Sequence, residues 1–298
     1  MNDLISAVFA AGFFDSDPVH TAMVIGGGAA IVSAMIGVFT IIRGQSFAGH
    51  ALADVSSAGG AASFLLGVNP MFGFLGMAVL AAGAMELVGV RRARERDLVT
   101  GIVLGAGLGL TALLLYFDVT TRSTTGAAIS VMFGSMFAIP AAIIPPALLV
   151  GSGVILVAAV IYRPLLLSSL NSTLAEAQGV NVRLVGLVHL LMLSLAVTLS
   201  AMTIGAILST ALLIGPAAAA LRLVKRPGLA IGLAALIGLG SVWGGILLAY
   251  DSYDWTPGHG WPVSFFIVTI IFAVYLLTGL PGRRARRSAM MSRSAEAA

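Results

Sequence analysis

The sequence predicts an all-α polytopic membrane protein. Three observations predict it. Only 9% of the 298 residues are charged and 59% are hydrophobic, whereas a soluble domain carries about 25% charged residues. The apolar residues come in runs of about twenty, the length of a membrane-crossing helix, not in the alternating segments of about ten that a barrel strand needs. Where the ends of the runs are charged, the basic clusters fall on one side and the acidic residues at 15, 17, 118, 251 and 254 on the other.

The first predicted span is His20–Ile42, after the acidic, turn-like Phe14-Asp-Ser-Asp-Pro18. The second is His50–Val68, closed by Gly67-Val-Asn-Pro70, and the third is Met71–Val90. The charge run Arg91–Asp97 separates it from the fourth, Leu98–Phe117, which the polar loop Asp118–Gly126 follows. Residues 127–162 are too long for one span and are broken by Pro140, Pro145 and Pro146. They read as a short non-crossing segment around Val131–Ser135 and a fifth span at Pro146–Tyr162. The longest polar insert, Arg163–Asn181, contains a short helix at Leu174–Gln178, capped by Ser172 or Thr173 and ended by Gly179. Four further spans follow: Leu184–Ala201, Ile204–Leu221, Gly228–Tyr250 and Val263–Leu280. Residues 1–282 thus form a single transmembrane domain, and 283–298 form a basic tail expected to be disordered.

Nine crossings put Arg43, the Arg91–Arg96 run, Arg163, Lys225, Arg226 and Arg283–Arg287 on one side, the cytoplasm by the positive-inside rule. Asp15, Asp17, Asp118, Asp251 and Asp254 then fall on the other side, with the N-terminus outside. Eight crossings result if one weak segment does not cross. The net charge of +4 is therefore topological and gives no reason to expect nucleic acid as a partner. Cysteine is absent, which excludes thiolate ligands and disulfides. The N-terminal stretch has no basic residue before its apolar part and does not read as a signal peptide. No Walker A pattern occurs, so the chain has no ATPase site of that kind. Gly101, Gly105 and Gly109 share a helix face, as do Gly73 with Gly76 and Gly26 with Ala30, and such faces suit close helix packing.

Ionisable residues inside spans are costly, so each is a candidate for function. His50 and Asp54 lie four residues apart, on one helix face. One imidazole nitrogen and one carboxylate oxygen at that spacing can hold a divalent metal. The same pair can also be a helix start that neutralises itself, and both readings stand. Seven residues separate His50 from Arg43, which places the pair in the inner third of the bilayer. Glu86 is expected to pair with Arg91 or Arg92, and His189 to be a hydrogen-bonded packing residue. His20 and His259 sit at membrane ends. Asp54, Glu86 and His189 could alternatively form the carboxylate relay of a proton-coupled secondary transporter.

Four segments in order resemble the membrane subunits of bacterial ABC importers for manganese, zinc and iron. They are Ile42-Arg-Gly-Gln-Ser-Phe-Ala-Gly-His-Ala-Leu52 followed by Gly59, Met132-Phe-Gly-Ser135, Leu174-Ala-Glu-Ala-Gln-Gly-Val180, and Ile204–Ala220 with its Leu-Leu-Ile-Gly-Pro-Ala core. Pro257-Gly-His-Gly260 is similar to the family's outer Pro-x-Gly. The order holds from about residue 20 to 280. Two positions depart. The family usually has Asp after the glycine and His four residues later, and here His50 precedes Asp54. Asn171 stands where the family usually has Asp.

The resemblance implies a permease architecture of the metal or corrinoid type, in the bacterial cell membrane. It implies a second permease copy and two cytoplasmic ABC ATPase subunits. These would dock on the coupling segment 163–182, at Leu174, Ala175, Glu176, Ala177, Gln178 and Gly179. It implies an extracytoplasmic metal-binding protein, met by Asp251, Asp254, Trp255 and His259, with Asp118 nearby. His50 and Asp54 become ligands of manganese, zinc or iron, which is cargo and not a resident cofactor. A permease for chelated iron or a corrinoid, with a wider path and no direct ligands, is the related alternative.

Overall fold

Pro18 sits in the first turn of α1 (Asp17–Ile42), where its missing N–H costs nothing. The computed structural model describes residues 12–88, 93–121, 125–255 and 260–296, and the described residues contain no strand. After α1 come α2 (Ser46–Leu66), α3 (Pro70–Val88), α4 (Ala93–Thr121), the nine-residue α5 (Thr125–Phe133) and α6 (Ile144–Val160). Then follow α7 (Tyr162–Leu170), α8 (Ser172–Ala177), α9 (Val182–Ile204), α10 (Ala206–Leu223), α11 (Pro227–Trp255) and α12 (Val263–Glu296). Each of the nine predicted spans falls on one of these helices.

Among the described residues, six helices are long and apolar enough to cross a membrane: Asp17–Ile42, Asp97–Thr121, Ala141–Val160, Val182–Ile204, Ala206–Leu223 and Pro227–Trp255. The apolar parts of α3 and α12 are shorter, Pro70–Glu86 and Val263–Gly279. Helix α2 has the length of a span but not the hydropathy, because His50, Asp54 and four serines dilute it. It tolerates them because it is enclosed. Residues 51–61 are all buried, and α3, α4, α9 and α10 pack around them. Its sequence there, Ala-Leu-Ala-Asp-Val-Ser-Ser-Ala-Gly-Gly-Ala, is small enough to let four neighbours approach.

The closest approach is at Gly59. A Cβ there would collide with the Gly73 carbonyl of α3, and a Cβ on Gly73 would collide with the Gly59 carbonyl. A second crossing without side chains lies at Gly134 and Gly205, both at positive φ, 78° and 89°. Gly205 breaks α9 from α10, and Gly134, just after the short α5, packs against that break. At nine residues α5 spans about 13 Å, too short to cross, as the sequence predicts. The main core gathers Phe39, Leu52, Leu193 and Leu213 from α1, α2, α9 and α10.

Some expectations need correction. The glycine face of α4 is open: nothing lies within 4 Å of a Cβ at Gly101, Gly105 or Gly109. Gly107, on the other side of the helix, meets Val55 instead. Gly76 is open too, while Gly26 packs against Val242 and Met136. Helix α12 runs on to Glu296. Helix α4 runs to Thr121 and α11 to Trp255, so the loops expected at 118 and 251 begin later.

Substituting Gly59→Ala sets a gain in helix propensity of about 1 kcal/mol against a backbone collision that costs about 1–3 kcal/mol. The collision should win, lowering the thermal unfolding midpoint of the detergent-purified protein. Gly101→Ala meets open space and should leave the midpoint unchanged or raise it.

Candidate metal centre

His50 and Asp54 lie on the first turns of α2. The residue before the pair fixes its depth. A Cβ on Gly49 would lie 3.6 Å from Leu193, which is the middle residue of α9, and 2.7 Å from Leu213 of α10. The pair therefore lies near mid-height of a 23-residue span, not in the inner third. Helix α2 starts on the turn at Gly44 and Gln45, where Gly44 is exposed. Arg43, just before that turn, packs over Gly186, one turn into α9.

His50 Nε2 stands 3.5 Å from Asp54 Oδ2. The two side chains differ in access: Asp54 is 5% exposed and His50 is 40% exposed. The other ring nitrogen, Nδ1, is 3.0 Å from the hydroxyl of Thr210 on α10. Beyond Asp54 along α2 come hydroxyls satisfied within the bundle. Ser57 donates to the Asp54 carbonyl at 2.6 Å and lies 2.9 Å from Thr111 of α4, which donates to the Gly107 carbonyl.

A separation of 3.5 Å is longer than a charge-assisted hydrogen bond, which would close to 2.7–2.9 Å. It is close to the bite of a metal chelate. Two ligands held about 2.1 Å from a tetrahedral ion are about 3.4 Å apart. The separation matches the spacing of two ligands on one cation. Among the described residues no group of three or more His, Asp or Glu side chains gathers, so a single chain offers one nitrogen and one oxygen here.

The other predicted residues sort differently. Glu86 pairs with Arg183 of α9 at 3.3 Å, while Arg91 and Arg92, its expected partners, lie outside the described residues. His189 is fully buried, and neither ring nitrogen has a hydrogen-bond partner among the described residues, contrary to the expectation of a bonded packing histidine. No hydrogen bond joins Asp54, Glu86 and His189 into a relay.

On the segment 163–182 Asn171, not Ser172 or Thr173, caps α8, its side chain accepting from the Leu174 N–H at 2.9 Å. Ala175 is buried, and Glu176, Ala177, Gln178 and Gly179 are exposed together with the apolar Leu174. Arg43 reaches this segment, donating to Ser168 at 3.1 Å and Ser169 at 3.2 Å on α7. Sequence reading missed Arg43 and Thr210 because their partners lie more than a hundred residues away.

At the other end, Trp255 is exposed and packs edge-to-face on Trp261 and Phe266, with Asp254 beside it. Asp251 is half-buried, and His259 lies outside the described residues. Asp118 is fully buried in α4 and forms no part of an outer surface, because that helix continues past the expected loop.

The sequence profile described as the ABC 3 transport family matches residues 16–279. The manganese transport system membrane protein MntC of Listeria innocua is 32% identical over 247 residues, covering 83% of this chain and 85% of that protein. The high-affinity zinc uptake system membrane protein ZnuB of Haemophilus influenzae is 26% identical, covering 74% and 85%. Among solved structures, a chain of PsaBC from Streptococcus pneumoniae in complex with Fab has the same fold, with a TM-score of 0.78, 24% identity, and coverage of 91% and 94%. With six spans of sufficient length, an enclosed polar α2 and a match over nearly its whole length, the chain belongs to the ABC 3 transport family and is a multi-pass permease of the bacterial cell membrane.

Proposed function

We propose that the chain is the membrane subunit of an ATP-driven importer of a divalent transition metal, manganese or zinc, and that His50 and Asp54 are its transit ligands. The observation that carries this is the 3.5 Å separation of Nε2 and Oδ2 at mid-membrane height, a chelate bite with one side open. The relatives support it, being named for manganese and zinc. Iron, expected beside them, finds no support among these relatives. A half-open polar pair at mid-membrane is costly against lipid, so its open side faces a water-filled path. A second permease copy across that path would add another nitrogen and oxygen, a set suited to these metals. Binding by so few ligands stays moderate, as transit requires, because the metal must also leave.

The partners follow from the two ends. An extracytoplasmic metal-binding protein would deliver cargo at the exposed Trp255 and Asp254, with Asp251 and His259 close in sequence. ATPase subunits, two per pair of permeases, would dock on α8, where Leu174 is 47% exposed on a cytoplasmic loop. The Arg43 bonds to Ser168 and Ser169 join that docking region to the turn that starts α2. All nine apolar helices would cross, with the N-terminus outside. Proton coupling lacks a path, since Glu86 is paired with Arg183 at the edge of the protein.

Replacing a direct ligand should cost at least as much as disturbing the groups behind it, which typically costs 10–100-fold. His50→Ala and Asp54→Ala should therefore each lower manganese uptake by about 100-fold while the permease still co-purifies with its ATPase. Normal uptake of radioactive manganese by either variant would sink the reading. For the docking surface, Leu174→Asp removes an exposed apolar anchor worth about 2 kcal/mol, roughly a 30-fold loss in affinity. ATPase co-purification should fall accordingly, while metal binding by the isolated permease is retained. Unchanged co-purification would exclude α8 as the dock.

A further inference from the structure

We infer that Thr210 is a positioning residue for the cargo metal: it holds the His50 ring by Nδ1, so that Nε2 is the nitrogen presented beside Asp54. This rests on the metal reading above and adds a residue that the reading does not require.

The geometry begins with packing. Leu213 and Thr210 lie three residues apart, on one face of α10. Leu213 fits where two glycines leave room. A Cβ on Gly37 of α1 would collide with the Leu213 carbonyl, and a Cβ on Gly49 of α2 would press on the Leu213 side chain. Helix α10 is thereby seated against α1 and α2 at the level of Gly49. His50 is the next residue, and the Thr210 hydroxyl, one turn earlier on α10, meets its Nδ1 at 3.0 Å.

This contact supplies what the half-open histidine otherwise lacks. With 40% of the side chain exposed, packing alone does not fix the ring, and the Asp54 carboxylate at 3.5 Å is too far to hold it by a hydrogen bond. A neutral imidazole has one N–H and one lone pair. With the N–H on Nδ1 donating to the Thr210 oxygen, the Nε2 lone pair is left pointing into the space shared with Asp54. Metal-ligating histidines commonly donate their second ring N–H in this way, which fixes both tautomer and orientation. The group behind the ring also tunes it. A carboxylate there would raise the basicity of Nε2 and tighten the metal, whereas a neutral hydroxyl orients the ring with a smaller electronic push. The structure therefore combines a defined ring with a moderate ligand.

The test compares Thr210→Val, Thr210→Ser and His50→Ala in the full permease–ATPase complex in proteoliposomes, with manganese(II) chloride as the probe. Manganese(II) binding by the purified complex, followed by its electron paramagnetic resonance signal, is the second readout. Thr210→Val keeps the shape and removes the hydroxyl. It should raise both the half-saturating manganese concentration and the dissociation constant by about 10–100-fold, with an unchanged thermal unfolding midpoint. Thr210→Ser restores the hydroxyl and should restore both constants. If His50→Ala abolishes binding while Thr210→Val binds as the unaltered protein does, the inference about Thr210 is wrong and the metal reading survives. If Thr210→Ser is as impaired as Thr210→Val, the methyl group and not the hydroxyl matters, and the inference also falls. If His50→Ala binds and transports normally, the metal reading itself has failed.

Discussion

Burying a carboxylate in the middle of a membrane protein is the constraint on which the rest of this structure depends. Asp54 is almost entirely out of solvent, and an ion placed there costs several kcal/mol unless a cation answers it. The protein sets His50 on the same helix face, 3.5 Å away, and makes the helix narrow enough to be enclosed. Enclosure requires small residues, and the run from Ala51 to Ala61 supplies them. The crossing of Gly59 on Gly73, the contact of Gly107 with Val55 and the seat of Leu213 against Gly37 and Gly49 all bring neighbours onto this one helix. Lipid gives no hydrophobic drive for helices to associate, so close backbone contact has to provide it. The same glycines that stabilise the bundle therefore build the polar wall.

The enclosed helix is also tied to the polar segment 163–182. Arg43 stands at the turn that starts α2, and its guanidinium bridges two serines of α7, each of which also donates to the Leu165 carbonyl. Asn171 and Asn181 then cap the two helices that follow, α8 and α9, so the connection from Arg43 to the exposed Leu174 is hydrogen-bonded at each change of direction. A displacement of α8 would be passed to the base of α2 through a few stiff polar contacts. A chain of this kind transmits motion only if its members move between discrete arrangements, and the Arg43 bridge is the member whose breakage is simplest.

Much of the fold was legible because hydropathy alone marks a span, and the predicted runs coincide with helices to within a few residues, except the last, whose helix continues to Glu296. The pair of His50 and Asp54 was legible for a local reason, a spacing of four residues on a helix. What was not legible depends on contacts distant in sequence. Glu86 had arginines five and six residues on, yet it pairs with Arg183 from another helix. Thr210 is one hydroxyl in an apolar run, and the faint signal for it was the neighbouring pair Ser209-Thr210 ahead of Leu-Leu-Ile-Gly-Pro. Asp118 looked like a loop residue because polar residues follow it, but α4 continues for three residues more and buries it. Depth was misread because counting from Arg43 assumes that the arginine lies at the membrane surface. Its side chain instead bonds Ser168 and Ser169 and packs over Gly186, one turn into α9.

A transit site has to be reachable and weak, and these demands normally oppose each other, since an open site loses its ligands to water and a closed one holds its cargo. On the proposed reading they are divided between two residues. Asp54 supplies the charge and is sealed, so its field is little screened, while His50 supplies the opening and is neutral in its metal-binding form. Inverting the order usual in the family leaves the spacing intact but exchanges these positions along α2. The imidazole now sits one turn nearer the cytoplasmic end than the carboxylate, and it is the imidazole that α10 touches, through Thr210. On the proposed reading, cargo descending the path meets the sealed charge first and the steered nitrogen second. Any relative movement of α10 and α2 then acts on the nitrogen, the ligand nearer the exit.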